Sequence, residues 1–200
     1  MDKDSAIKVA TKTVNYATAT LLFVSLNVAA ADLHQNINRI EPNTLNNASG
    51  FIGINVAAGD NNLQANSVSI AIGKNAQTLN RSSMHTSTLN GEAGSASVSM
   101  GANTLHNASG LISVNQVAGS GNAQLNAIAI AFGDNIQMLS DISLSVRPSA
   151  VNSSSNTDDI NKNTVMLDSN SLRGAAGAIQ LNQIAGNGNI AVNRVSMPIQ

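Results

Sequence analysis

The sequence contains no cysteine and no tryptophan, one tyrosine and three phenylalanines. Without cysteine there is no disulfide framework, no thiolate zinc site and no cysteine nucleophile. With aromatics at 2%, no core can be built around the large rings that dominate burial in most globular domains. Ala, Val, Ile and Leu must supply it. Charge is scarce too: Asp, Glu, Lys and Arg make up 10% of the chain, against about 25% in soluble domains. A net charge of −1 lacks the basic footprint of a nucleic-acid binder, so no nucleic-acid partner is expected. Asn, Ser, Thr, Gln and Gly fill the gap, a poor composition for a catalytic cytosolic enzyme. The 200 residues suit one ordinary domain or a short array of repeats.

The N-terminal region reads as an export signal over 1–31. Lys3, Lys8 and Lys12 form a basic start, Ala17 to Ala31 an apolar stretch, and Ala29, Ala30 and Ala31 a small-residue cleavage site. This predicts a mature chain beginning at Asp32 and a destination in the periplasm or beyond. No later run reaches the roughly 18 apolar residues of a membrane helix.

Sliding the chain along itself exposes a repeat. Asn43-Thr-Leu-Asn-Asn-Ala-Ser-Gly50 recurs as Asn103-Thr-Leu-His-Asn-Ala-Ser-Gly110, and the match continues without a gap. Phe51 to Asn66 aligns with Leu111 to Asn126, and Ile70-Ala-Ile-Gly73 with Ile130-Ala-Phe-Gly133. A third copy begins near Asn170 and runs through Gly177 to Asn193. The expected organisation is an N-terminal segment over 32–42, repeats over 43–79, 103–139 and 170–200, and linkers over 80–102 and 140–169.

Inside a repeat the period is two, the mark of a strand. Ile52 and Ile54 point one way, and Phe51, Gly53 and Asn55 the other. After a turn at Gly59, the residues Val68, Ile70 and Ile72 share a face. A short additional strand is expected at Val98 and Met100, and at Val165 and Leu167. A single strand pair cannot bury its apolar face, so the copies must stack. The predicted fold is all-β: a repeat-built β-solenoid or cross-β stack of three imperfect strand-turn-strand repeats.

Stacking in register would align three apolar columns. Ile52, Ile112 and Ile179 form the first, Ile54, Val114 and Leu181 the second, and Ile70, Ile130 and Met197 the third. It would also align amides in three columns: Asn55, Asn115 and Asn182; Asn62, Asn122 and Asn189; and Asn66, Asn126 and Asn193. Gln64 would lie over Gln124, with Ala191 breaking that column, and Gly59, Gly119 and Gly186 would mark the turn. At a spacing of about 4.8 Å, stacked amides hydrogen-bond along the column, whereas stacked charges repel. The low charge follows from this.

Residues 47 to 66, Asn-Ala-Ser-Gly-Phe-Ile-Gly-Ile-Asn-Val-Ala-Ala-Gly-Asp-Asn-Asn-Leu-Gln-Ala-Asn, resemble the repeat of the Fap functional-amyloid fibre subunits of Gram-negative bacteria. The resemblance covers the signal region and all three repeats. It implies a secreted subunit of an extracellular biofilm fibre, exported through the periplasm and an outer-membrane secretion pore. It also implies self-assembly together with related fibre subunits, and no cofactor. The chain lacks the C-terminal Cys-x-x-Cys usual in the major subunits. Its linkers are short, more similar to those of the minor, nucleating subunit, and the choice between the two stays open.

No chemistry-bearing cluster competes with this reading. His34, His85 and His106 lie far apart, no nucleophile elbow occurs, and the pair Asp158 and Asp159 sits in a polar linker. Gly119-Ser-Gly-Asn122 and Gly186-Asn-Gly-Asn189 are faintly similar to calcium-binding nonapeptides, but Asn stands where Asp would coordinate. The rival readings are a monomeric β-solenoid adhesin for a surface receptor, or a hydrolase on a β-helix. The first would need protected end rungs, the second aligned carboxylates. The triple variant Asn55→Asp, Asn115→Asp and Asn182→Asp stacks three like charges and is expected to abolish fibre formation. Unchanged assembly kinetics in a turbidity or dye assay would show that this column is not in register.

Overall fold

The computed structural model describes residues 35–87, 95–147 and 162–200. The expected signal over 1–31 and the linker segments 88–94 and 148–161 lie outside the described residues. Within them every regular element is a strand. The first rung holds β1 (Asn36–Ile40), β2 (Ser49–Ala58), β3 (Leu63–Ile72) and β4 (Asn75–Ser87). The second holds β5 (Ala96–Met100), β6 (Ser109–Ala118), β7 (Ala123–Phe132) and β8 (Asn135–Arg147). The third holds β9 (Asn163–Leu167), β10 (Ala176–Ala185) and β11 (Ile190–Ile199).

No strand pairs with its chain neighbour. Each pairs in parallel with its equivalent in the next repeat, giving sheets β1-β5-β9, β2-β6-β10, β3-β7-β11 and β4-β8. The sheets form four layers in that order. This is the expected all-β stack of repeats, not a closed barrel. Register is strict: Ile52 pairs with Ile112 and Ile112 with Ile179, and likewise along the whole of β2, β6 and β10. The offset is 60 residues from first rung to second and 67 from second to third.

The apolar core lies between the first and second layers. Ile52, Ile54, Ile112 and Val114 pack there against Met100 and Leu105. Ile112, Val114 and Leu105 are fully buried, each contributing of order 1.5–3 kcal/mol. The chain passes between these layers over residues 41–48. Asn43, Leu45 and Asn47 there have φ of 62°, 58° and 56°, and Asn103, Leu105 and Asn107 repeat it at 56°, 59° and 54°. Asn enters the left-handed region readily, but Leu does so at a cost of about 1–2 kcal/mol. Burial of Leu105 offsets that strain, which explains why Asn-Thr-Leu opens each of the first two repeats.

Three members of the expected apolar columns depart from a packed position: Ile70 and Ile179, at 54% and 40% exposure, and Met197. Met197 pairs with Ile130 in register on β11, but its side chain is only half-buried and lies outside the core cluster around Ile112. The reason is its place in the stack. Met197 stands on the third rung, with Ile130 on one side and no rung on the other. Of that column only Ile130, flanked on both sides, is buried. Met197 is therefore an end position of the column and not a core residue of the single chain.

Strand structure extends into both stretches read as linkers. β4 and β8 continue to Ser87 and Arg147, and β5 and β9 occupy the ends before the next repeats. The reason is chemical. In β4 the buried positions are Ala76, Thr78 and Asn80, so its inward face is polar or small and carries no hydrophobic contrast, whereas β8 alternates Ile136, Met138, Ile142, Leu144 and Val146 on that face.

The turn between β2 and β3 requires glycine, and so does its counterpart in the second rung. Gly119 has φ of 129°, and a Cβ there would collide with the carbonyl of Gly186 in the rung beside it. Gly119→Ala is expected to lower stability in guanidinium unfolding by more than the roughly 1–3 kcal/mol of a strained backbone alone. A smaller loss would show that the turns of adjacent rungs are not in contact.

Candidate functional site

The second and third layers face each other across buried amides flanked by hydrocarbon, Val117 beside Asn115 and Ile128 beside Asn126 on the same strand faces. On the second layer Asn115 Nδ2 donates to Asn55 Oδ1 at 2.9 Å, and Asn182 Nδ2 to Asn115 Oδ1 at 3.0 Å. On the third, Asn126 donates to Asn66 at 3.1 Å and Asn193 to Asn126 at 3.2 Å. The two ladders are also tied across the gap. Asn66 donates to Asn55 at 2.9 Å, Asn115 to Asn66 at 3.0 Å, and Asn126 to Asn115 at 3.0 Å. Main-chain carbonyls share the same donors: Asn115 Nδ2 reaches Ala65 O at 3.0 Å and Asn126 Nδ2 reaches Val114 O at 3.0 Å. Asn115 and Asn126 are fully buried. Each amide left unpaired there would cost about 1–3 kcal/mol, so the zigzag of bonds is what makes a polar interior tolerable.

The remaining columns are brought together as follows. Asn122 Nδ2 donates to Asn62 Oδ1 at 2.9 Å and Asn189 Nδ2 to Asn122 Oδ1 at 3.1 Å. The backbone N–H of Asn122 and of Asn189 donates to the same oxygens at 3.0 and 2.9 Å, locking side chain and turn together. Gln64 Nε2 donates to Gln124 Oε1 at 2.7 Å. Gly59, Gly119 and Gly186 share the turn with φ of 105°, 129° and 148°. On the second layer Ile54, Val114 and Leu181 pair in register. On the third, Ile70, Ile130 and Met197 do so, though Met197 stays half-buried at the open end.

Three ladders were not read from the sequence. Gln183 Nε2 donates to Gln116 Oε1 at 2.9 Å, Asn103 to Asn43 at 3.2 Å, and Asn135 to Asn75 at 3.0 Å. Gln116 looks like a departure when the first repeat is the template, because Val56 stands in its column. Comparing the second copy with the third gives the signal. Arg81 and Asp141, in the stretches read as linkers, form an ion pair at 3.3 Å.

The ladders have a direction. In every Asn column the later repeat donates to the earlier one. Gln183 to Gln116 follows the rule, and Gln64 to Gln124 reverses it. The first and third rungs therefore differ chemically at their open faces. They are also unsealed. Ile112 is fully buried while Ile179, one rung on, is 40% exposed; Ile130 is 8% exposed while Ile70 is 54% exposed. The backbone edges of β10 and β11 face outward with the same residues.

Pro198 is the exception on that edge. The carbonyl of Ile199 accepts from Gly133 N–H at 3.1 Å and so faces the second rung. Adjacent peptide groups of a parallel strand point to opposite sides, which turns the nitrogen of Pro198 to the open edge, where proline is tolerated. Of the imidazoles, His34 lies outside the described residues, and His85 Nδ1 meets Ser145 Oγ in the next rung. Among the described residues no group of three or more His, Asp or Glu gathers.

Comparison with known proteins gives one match. The sequence model of the functional amyloid protein FapB/FapC family matches residues 22–200. No curated protein sequence and no solved structure matches the chain.

Gln116 Nε2 is buried and has no partner, because Val56 occupies the rung it points to. Val56→Gln supplies an acceptor and extends the ladder to all three rungs. It is expected to stabilise the stack by about 1 kcal/mol in chemical unfolding. A loss of stability would show that packing of the Val56 methyls outweighs the missing hydrogen bond.

Proposed function

We propose that this chain, which belongs to the functional amyloid protein FapB/FapC family, extends its fibre by templated stacking of whole repeats. Membership makes it a structural subunit of an extracellular functional amyloid fibre in the biofilm matrix. The observation that carries the stacking mechanism is the contrast between rungs. Columns closed in the second rung stand open on the first and third, at Ile70 and Ile179 above all. The first rung of an incoming chain would cover the third rung of the last one. Its β2 would lie on β10 and its β3 on β11, which sets Ile70 of the newcomer on Met197 and continues the backbone ladder and the Asn columns. Each added rung buries apolar area and completes hydrogen bonds that are otherwise open. The self-assembly residues are then the Asn columns, the turn glycines and the stacked Ile, Val, Leu and Met positions.

Finer assignments rest on the sequence. The basic start, apolar stretch and alanine cleavage site support export to the periplasm, and the low charge of the repeats suits onward passage through an outer-membrane pore. Related fibre subunits with the same amide columns are fitting partners. Short linkers and the lack of cysteine favour the nucleating role over the bulk one. A monomeric adhesin would need sealed ends, and the open third rung supports the fibre reading over it.

Purified mature chain, residues 32–200, incubated at several concentrations is expected to form fibrils whose diffraction shows reflections near 4.7 and 10 Å. A soluble, β-rich monomer that never assembles at any concentration would overturn the proposal and favour the adhesin.

A further inference from the structure

We propose that two such stacks pair face to face through the outer surface of the fourth layer, about a two-fold axis parallel to the fibre, with Leu79 and Leu139 at its centre. The inference rests on the stacking mechanism above. In β4 the residues Ala76, Thr78 and Asn80 turn inward and are buried at 3%, 1% and 3% exposure. The alternate residues Gln77, Leu79, Arg81 and Ser83 point outward, directly beside Gln137, Leu139, Asp141 and Ser143 of β8. Leu79 and Leu139 are 57% and 49% exposed.

This exposure differs in kind from that of Ile70 or Ile179. Stacking covers groups on the edge of a rung. A side chain on the outer face of the outermost layer stands perpendicular to its sheet, and stacking only strings it into a row. Leu79 and Leu139 would become apolar pairs recurring every three rungs along the fibre, set apart where the third rung has no strand in the fourth layer among the described residues. The outer face of the first layer is different, because its columns break: Ile37 stands beside Ser97 and Thr164, and Arg39 beside Ser99 and Met166.

The pattern around the leucines is self-complementary, which identifies the occupant as a second copy of the stack. Outward residues read Asn75, Gln77, Leu79, Arg81, Ser83 in the first rung and Asn135, Gln137, Leu139, Asp141, Ser143 in the second. A two-fold axis along the fibre places leucine on leucine, Gln77 opposite Arg81 and Gln137 opposite Asp141. A glutamine amide accepts from a guanidinium or donates to a carboxylate, so each charged group gains a partner and no like charges meet. Arg81 and Asp141 are already joined at 3.3 Å and enter the contact as a neutralised pair. Such isologous pairing leaves both stacks growing in the same direction. The two leucine faces would meet as a dry interface about 10 Å between sheets.

Mass per length of the fibrils tests this directly. Wild type is expected to contain two chains per three rungs, a rise of about 14 Å. Leu79→Lys with Leu139→Lys is expected to halve that value while keeping the 4.7 Å reflection. Because the chain has no cysteine, orientation is read by short bismaleimide cross-linking of fibrils. Leu79→Cys is expected to give covalent dimers alone. Gln77→Cys and Arg81→Cys are expected to do so only when mixed, since equivalent residues along one stack lie about 14 Å apart. Wild-type fibrils with one chain per three rungs, or a Leu79→Cys variant that does not cross-link, would overturn the pairing and leave the stacking mechanism standing. Failure of wild type to form fibrils at all would remove the stacking mechanism and the pairing with it.

Discussion

Everything in this structure follows from parallel, in-register pairing of equivalent residues about 4.8 Å apart. In such a ladder each side chain lies beside its own counterpart, so a residue is admissible only if it tolerates a copy of itself. Carboxylates and ammonium groups fail this test, and the chain carries few of either. Branched aliphatics pass, because they pack on themselves. Asn and Gln pass more strongly, because an amide is both donor and acceptor and so hydrogen-bonds to an identical neighbour. Where charge does enter a ladder, it meets an opposite or a neutral residue: Arg81 lies beside Asp141, Arg39 beside Ser99 and Arg194 beside Ala127. Composition is thus a consequence of geometry.

The same constraint gives each interlayer gap its own chemistry. Between the first and second layers the columns are aliphatic, and the core around Ile112 and Leu105 supplies the hydrophobic stabilisation. Between the second and third, the columns of Asn115 and Asn126 bond along the stack, across the gap and to main-chain carbonyls at once. A hydrophobic layer tolerates sliding by one residue only if the pattern is weak. A network of this density tolerates none, since a slip would leave several buried amides unpaired at about 1–3 kcal/mol each. The aliphatic layer drives association and the amide layer sets the register.

Much of this was legible in the sequence, and the division is instructive. The Asn55, Asn62 and Asn66 columns were legible because each recurs unchanged at 115, 122 and 126 and at 182, 189 and 193. A self-pairing lattice writes itself as a repeat. The register of Met197 with Ile130 was legible in the same way, but its half-burial was not, because periodicity says which residues stack and not which rung stands at the end. β4 was hidden, because Thr78, Asn80, Gln77 and Ser83 give no contrast between inward and outward faces, whereas the alternation of Ile136, Met138, Ile142, Leu144 and Val146 in β8 is a strand signal that was missed where it runs into the stretch read as a linker. The arc over 43–47 was hidden for a different reason. Its repeated Asn and Leu mark backbone hand, with φ near 60° at alternate residues, and that is not a hydrophobic signal. The Gln116–Gln183 ladder was obscured by using the first repeat, with Val56, as the reference.

Exceptions to self-pairing occur inside the chain, where Val56 lies beside Gln116 and Ala191 beside Gln124, and recur where one chain would meet the next. In the proposed stack Gln183 of one chain faces Val56 of its successor, and Ala191 faces Gln64, so both glutamine ladders stop at the junction. Pro198 removes a ladder donor on the same edge. Within the chain each of those ladders joins two rungs, Gln116 with Gln183 at 2.9 Å and Gln64 with Gln124 at 2.7 Å. The three asparagine columns, by contrast, have Asn on both outer rungs and continue through the junction. A subunit boundary in the proposed fibre is therefore held by the backbone ladder, the asparagine columns and aliphatic contacts, without the one glutamine bond that each rung-to-rung contact inside the chain has.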